Sequence, residues 1–220
     1  MNETFDLITY IIEMAGVAAF AISGATEAFK NRLDIFGVCV LGVITALGGG
    51  MLRDVCLGIF PPVAFTRYDY AIVSIAVSLL TFFYSYIRDK MKASQHMRDR
   101  ILNVVDAFGL GVFVVSGVNA AVSKYGFDNG YLAVCCAMLT AIGGGMIRDV
   151  LVMHVPVVLY KHIYALAAIA GGIVYYELLK RTNLNSYIEV AITVVLVVGI
   201  RIYATRHHVN LPQAKSDKNI

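Results

Sequence analysis

Four charged side chains stand where charge is expensive. Arg53 and Asp54 follow one triple glycine (Gly48, Gly49, Gly50), and Arg148 and Asp149 follow another (Gly143, Gly144, Gly145). The phrases that hold them, TALGGGMLRDV from Thr45 and TAIGGGMIRDV from Thr140, recur 95 positions apart inside long apolar stretches. Glycine weakens a helix by about 1 kcal/mol per residue, and a charge near the centre of a bilayer costs about 3 kcal/mol or more. Both features are kept in both halves, which points to function. A helix that bends or opens at three glycines can free carbonyls for a cation, and such backbone is tolerated at membrane depth only beside protein or a water-filled path. The structural alternative is close helix packing of the small-xxx-small kind.

More residues recur with these phrases. Glu13, Phe20 and Ser23 in the first half match Asp106, Phe113 and Ser116 in the second. Neighbouring residues on a helix point about 100° apart, so each Arg is expected to face away from its own Asp. Depth along the helices then suggests two intramembrane pairs, Glu13–Arg53 and Asp106–Arg148. Asp54 and Asp149 remain to line a cation path or to cap a broken helix. The Ser23 and Ser116 hydroxyls either line that path or bond a carbonyl of their own helix. Phe20 and Phe113 form hydrophobic gates that close by dewetting or simply pack the core. Arg67 and Lys161 place positive charge at a pore mouth or snorkel to the interface. Against all of these stands the reading that the charges only staple a bundle together.

The elements that must position these residues are membrane helices. The chain has 220 residues, 59% hydrophobic and 15% charged, with mean hydropathy +0.72, against about 25% charged in a soluble domain. Its apolar runs are long and continuous, not the short alternating segments of a barrel. A span needs about 20 apolar residues. Seven are expected: 7–29, 35–55, 70–87, 101–122, 131–151, 163–179 and 187–203. The repeat continues past the glycines, where Pro62, Arg67 and Tyr70 match Pro156, Lys161 and Tyr164. Each repeat therefore holds three spans. Three is odd, so the second enters from the opposite side. The expected fold is an all-α integral membrane protein of two inverted three-helix repeats plus a seventh helix. The divisions are 1–92, 93–182, 183–205 for the seventh helix, and a polar tail at 206–220. Lys30, Arg32, Arg88, Lys90, Lys92, Arg98, Arg100 and the basic tail fall on one side, which the positive-inside rule makes cytoplasmic. The N-terminus is then outside and the C-terminus cytoplasmic, in a cell (inner) membrane.

Other chemistries lack their residues. The cysteines (Cys39, Cys56, Cys135, Cys136) have no metal-ligand or redox spacing. No nucleophile elbow, HExxH or Walker A loop occurs, so no enzyme, cofactor or resident metal is expected. The net charge of +3 is spread over loops and tail without a basic-aromatic patch, which argues against nucleic acid. His207 and His208 read as a solvated part of the tail, and Glu189 as an unrepeated acid serving assembly.

With GGGMLRDV and GGGMIRDV, AFAISGA at Ala19–Ala25 and FVVSGVNA at Phe113–Ala120, the chain resembles prokaryotic trimeric intracellular cation (TRIC) channels over about residues 5–205. The resemblance implies a homotrimer with one pore inside each protomer, lined by helices bent at their triple glycines, and K⁺ and Na⁺ as permeant ions that bind only in transit. Membrane lipid is the other implied partner. The basic phosphoinositide motif of the animal members is not recognisable here. Some bacterial relatives are linked to glycine uptake. The alternative to a passive channel is therefore a secondary transporter for glycine or another small zwitterion, since inverted repeats with broken helices serve transporters equally well.

Overall fold

The computed structural model describes residues 3–90, 95–160, 163–182 and 184–207. Its described residues form helices throughout: α1 (Glu3–Lys30), α2 (Ile35–Leu57), α3 (Val63–Thr66), α4 (Tyr68–Lys90), α5 (Gln95–Tyr125), α6 (Gly130–Leu151), α7 (Val157–Tyr160), α8 (Ile163–Arg181) and α9 (Ser186–Arg206). Seven of them are long and apolar enough to cross a membrane. α2, α6 and α9 start at a capping side chain. Asp34 accepts from the Gly37 amide at 2.7 Å, and its repeat counterpart Asn129 accepts from Leu132 at 2.9 Å, each satisfying one of the orphan donors of a first turn.

α3 and α7 are single turns that the hydropathy pattern does not reveal. Each follows a proline, Pro62 or Pro156, and lies between a long helix and the next span. The preceding helix ends in matching ways. Gly58 and Met153 both have positive φ (66° and 58°). The next amides, of Ile59 and His154, bond back to the carbonyls of Asp54 and Asp149 at 2.8 Å each. These turns close the helices with a left-handed residue, which glycine adopts freely and methionine does not.

α1 packs on α2 and α4, and α5 packs on α6 and α8, so the same contacts recur in each half. The halves join through α2 against α6 and α1 against α5. Both joints are antiparallel. Gly16 lies against Val112 and Phe113, while Gly109 lies against Phe20; Gly48 approaches Ile147, while Leu52 approaches Gly143. α9 packs on α5 and α8 and has no counterpart in the first half.

Both helices run unbroken through their triple glycines. This corrects the expectation that Gly48–Gly50 and Gly143–Gly145 open the helical ladder. The chain breaks only after the charged residues, at Gly58 and Val152. The first two glycines of each triplet are there for contact. A Cβ on Gly49 would sit 2.2 Å from the Thr140 carbonyl oxygen, and one on Gly144 would sit 2.0 Å from that of Thr45. The helices thus cross backbone to backbone, as small residues permit in membranes. Gly24 and Gly117 do the same within each half, against the backbones of α2 and α6.

Candidate functional site

Two cavities with charged groups in their walls lie at opposite ends of this crossing. The first, of about 320 Å³, is lined by Glu13 of α1, Gly50, Arg53 and Asp54 of α2, Tyr70 of α4, and Phe113 and Ser116 of α5. The second, of about 120 Å³, is lined by Ser23 of α1, Asp106 of α5, Gly145, Arg148 and Asp149 of α6, Tyr164 of α8 and Arg201 of α9. The third glycine of each triplet therefore differs from the first two. A Cβ on Gly50 or Gly145 would meet only an arginine Nη2, at 3.7 and 3.8 Å.

Each arginine is paired with the aspartate next to it, contrary to the expected Glu13–Arg53 and Asp106–Arg148 pairs. Arg53 donates from Nε to Asp54 Oδ1 at 2.9 Å and from Nη2 at 2.8 Å. Arg148 does the same to Asp149, at 2.8 and 2.6 Å. The Cβ directions do diverge, but an arginine side chain is long enough to curl back, and its planar fork matches a carboxylate. The other aspartate oxygen caps the following turn. Asp54 Oδ2 accepts from the Val63 amide at 2.9 Å, and Asp149 Oδ2 from the Val157 amide at 2.8 Å. These buried aspartates are thus used on both oxygens, as a charge inside a bundle must be. Of the two roles read for them, the cap is the one visible in the geometry.

The serines join the halves. Arg53 Nη1 donates to Ser116 at 3.2 Å, and Arg148 Nη1 donates to Ser23 at 2.7 Å. Neither serine merely bonds its own helix. Ser116 in turn donates to Glu13 at 2.8 Å, and Tyr70 donates to the other Glu13 oxygen at 2.8 Å. Glu13 and Arg53 thus communicate through a hydroxyl. Asp106, one methylene shorter than Glu13, lies 3.6 Å from Arg201 Nη2.

Phe20 and Phe113 meet edge to face, with centroids 4.9 Å apart. Each lies between Glu13 and Ser23 on α1, or between Asp106 and Ser116 on α5, so the pair stands between the two cavities. Both are buried, and their packing is visible where their gating is not. Arg67 forms a fork with Asp69 at 3.1 and 2.8 Å and stacks over Tyr10 and Tyr70 at about 5 Å. The Asp69 hydrogen bonds push its already high pKa further up. Lys161, the matching mouth residue, and His208 lie outside the described residues.

Several residues of this architecture escaped the sequence reading. Arg201 is buried on α9, over the Tyr164 ring at 4.2 Å. Its only signal was a charge inside an apolar run. Lys124 and Tyr125, at the end of α5, donate to carbonyls at the end of α2: Lys124 to Leu57 and to Gly58 at 2.8 Å, Tyr125 to Leu57 at 3.1 Å. Glu189 is buried and accepts from Thr182 at 3.0 Å, so it serves the protomer's own packing. At the rim of the second cavity Glu27 lies 3.3 Å from Lys30 and 3.5 Å from His154.

A family model described as "Glycine transporter" matches residues 10–86 and 103–180. The UPF0126 inner membrane protein YadS of Escherichia coli is 39% identical over 97% of this chain and 99% of its own. A UPF0126 membrane protein of Vibrio cholerae is 36% identical over 93% of this chain and 82% of its own. Among solved structures, a TRIC cation channel superposes with TM-score 0.81 at 35% identity, covering 94% of this chain and 97% of that one. The TRIC trimeric intracellular cation channel orthologue from Rhodobacter sphaeroides superposes with TM-score 0.82 at 28% identity, covering 92% and 99%.

Proposed function

Because the chain belongs to the family whose model is described as a glycine transporter and whose solved relatives are TRIC cation channels, we propose that it is a cation channel of the inner membrane with a pore inside each protomer of a homotrimer. One observation carries this reading. Two cavities, each with a carboxylate and an Arg–Asp pair in its wall, lie at opposite ends of one helix crossing, in a chain whose structural relatives conduct cations. The path runs from cavity to cavity past Phe20 and Phe113, beside α2 and α6. K⁺ and Na⁺ are the proposed permeant ions.

The glycines shape this path in two ways. Gly48, Gly49, Gly143 and Gly144 bring α2 and α6 together, while Gly50 and Gly145 leave room for an ion. Arg53, Arg148, Asp54 and Asp149 set the field along the wall. The two aspartates are tied up by an arginine and an amide, whereas Glu13 is held only by hydroxyls, so Glu13 faces the ion more directly. Phe20 and Phe113 form the constriction, and Arg67 and Lys161 stand at the mouths. The N-terminus lies outside and the C-terminus in the cytoplasm, with lipid around the trimer.

The family description favours one second reading, uptake of glycine through the same two cavities opening in alternation. Proteoliposomes decide between them. Voltage-driven K⁺ flux that is cut by Gly50→Val or Gly145→Val in well-folded protein supports the channel. Saturable uptake of labelled glycine without K⁺ conductance refutes it in favour of the transporter.

A further inference from the structure

The two halves of the path are built from repeats, yet their principal carboxylates are compensated differently. Glu13 is held by two neutral hydroxyls, those of Tyr70 and Ser116, at 2.8 Å each. No ion pair holds it among the described residues. Its counterpart Asp106 faces the guanidinium of Arg201 at 3.6 Å. That arginine comes from α9, the one long helix with no mate. It is 6% exposed and lies over Tyr164, the counterpart of Tyr70. Its Nε is buried with no hydrogen-bond partner, so it is held by stacking and charge and does not form a fork on Asp106.

We propose that Arg201 makes the path electrically one-sided: it neutralises Asp106, leaves Glu13 as the cation-attracting carboxylate, and so causes the current to rectify. This rests on the channel reading. The other charges lining each cavity pair off, Arg53 with Asp54 and Arg67 with Asp69 beside Glu13, Arg148 with Asp149 and Lys30 with Glu27 beside Asp106. The carboxylate left over concentrates cations in its cavity, whereas one with a fixed guanidinium beside it does not. One charge at cavity distance, in a medium between water and protein, changes local cation occupancy by about threefold to tenfold. The cavity with the higher occupancy feeds the pore faster. At equal and opposite voltages, K⁺ flow from the Glu13 cavity towards the Asp106 cavity therefore exceeds the reverse flow.

Excised patches from giant spheroplasts, in which biosynthesis sets the orientation, test this in symmetric KCl. The wild-type current should rectify by about threefold or more in that direction. Arg201→Gln should remove or reverse the rectification and admit Mg²⁺ block from the Asp106 side. The double variant Asp106→Asn/Arg201→Gln should lose that block. Glu13→Gln, on the other cavity, should bring the wild-type ratio towards one, and it serves if Arg201→Gln does not assemble. A linear wild-type current overturns the inference alone, as does an Arg201→Gln current with unchanged rectification and no Mg²⁺ block, or a Glu13→Gln ratio equal to the wild type. A wild-type protein that passes no K⁺ overturns the channel reading and this inference with it.

Discussion

Alanine at successive positions of one glycine triplet should have opposite effects. A Cβ on Gly49 falls 2.2 Å from the Thr140 oxygen and 3.1 Å from the Leu139 oxygen, both backbone atoms of α6. No rotamer change relieves that contact. α2 and α6 must separate by about 1 Å to restore ordinary contact distances, which loosens the crossing along its length. Overpacking of this kind costs about 1–3 kcal/mol, and rigid backbone puts Gly49→Ala at the upper end. The gain in helix propensity of about 1 kcal/mol leaves a net loss of about 2 kcal/mol. For a chain of this size that lowers the melting temperature by about 4–8 °C. Gly50→Ala meets nothing closer than Arg53 Nη2 at 3.7 Å. It keeps the propensity gain, so it should melt at or a few degrees above the wild type. Gly144→Ala and Gly145→Ala should repeat the contrast, since the Gly144 Cβ falls 2.0 Å from the Thr45 oxygen. Melting of purified protein in one detergent, followed by the loss of the assembled species on size exclusion, measures all four. Equal melting of Gly49→Ala and Gly50→Ala would refute the backbone crossing.

Ser116→Ala should cost more than Ser23→Ala in the same assay. Ser116 both accepts from Arg53 and donates to Glu13, and each bond to a charged group is worth about 1.5–3 kcal/mol. Asp54→Asn and Asp149→Asn remove the charge beside a buried arginine and should each destabilise by about 3–5 kcal/mol. Asp54→Asn that assembles should shift K⁺ over Cl⁻ preference less than Glu13→Gln does, as read from reversal potentials in a KCl gradient. Lys124→Met keeps the aliphatic stem but leaves the Leu57 and Gly58 carbonyls without their ammonium. A loss of about 1.5–3 kcal/mol is expected in melting.

The helices were legible because apolar length and a doubled phrase are one-dimensional signals. Seven spans, the three-plus-three inversion and the unmated last helix follow from runs and repeats alone, and α2 and α6 lie where those runs put them. Contacts were less legible where two physical outcomes share one pattern. A triple glycine in an apolar run fits both an opening helix and a tight crossing, and the partner carbonyls lying 2.0–2.2 Å from where a Cβ would sit separate the two. Cβ geometry directs Arg53 away from Asp54, but it ignores the reach of a side chain with several rotatable bonds. Arg201 has no repeat mate, so the doubled pattern that marks the other buried arginines carries no signal for it. Nothing in the sequence announces that α5 ends beside the end of α2, so the role of Lys124 there is visible only in three dimensions.

The pairing of each arginine with its sequence neighbour also bears on how the chain enters the bilayer. Helices emerge from synthesis in order, and α5 follows α2 by tens of residues. Ser116 therefore does not yet exist when Arg53 arrives, whereas Asp54 is already present and needs no other helix to be its partner. The charge is thus matched within its own segment before tertiary structure forms, which lowers the barrier to leaving water for a residue that is otherwise costly at depth. The bond to Ser116 is added later, when α5 arrives. The order reverses in the second half. Ser23 is already in the membrane when Arg148 is made, so the later repeat can be received by a surface prepared for it.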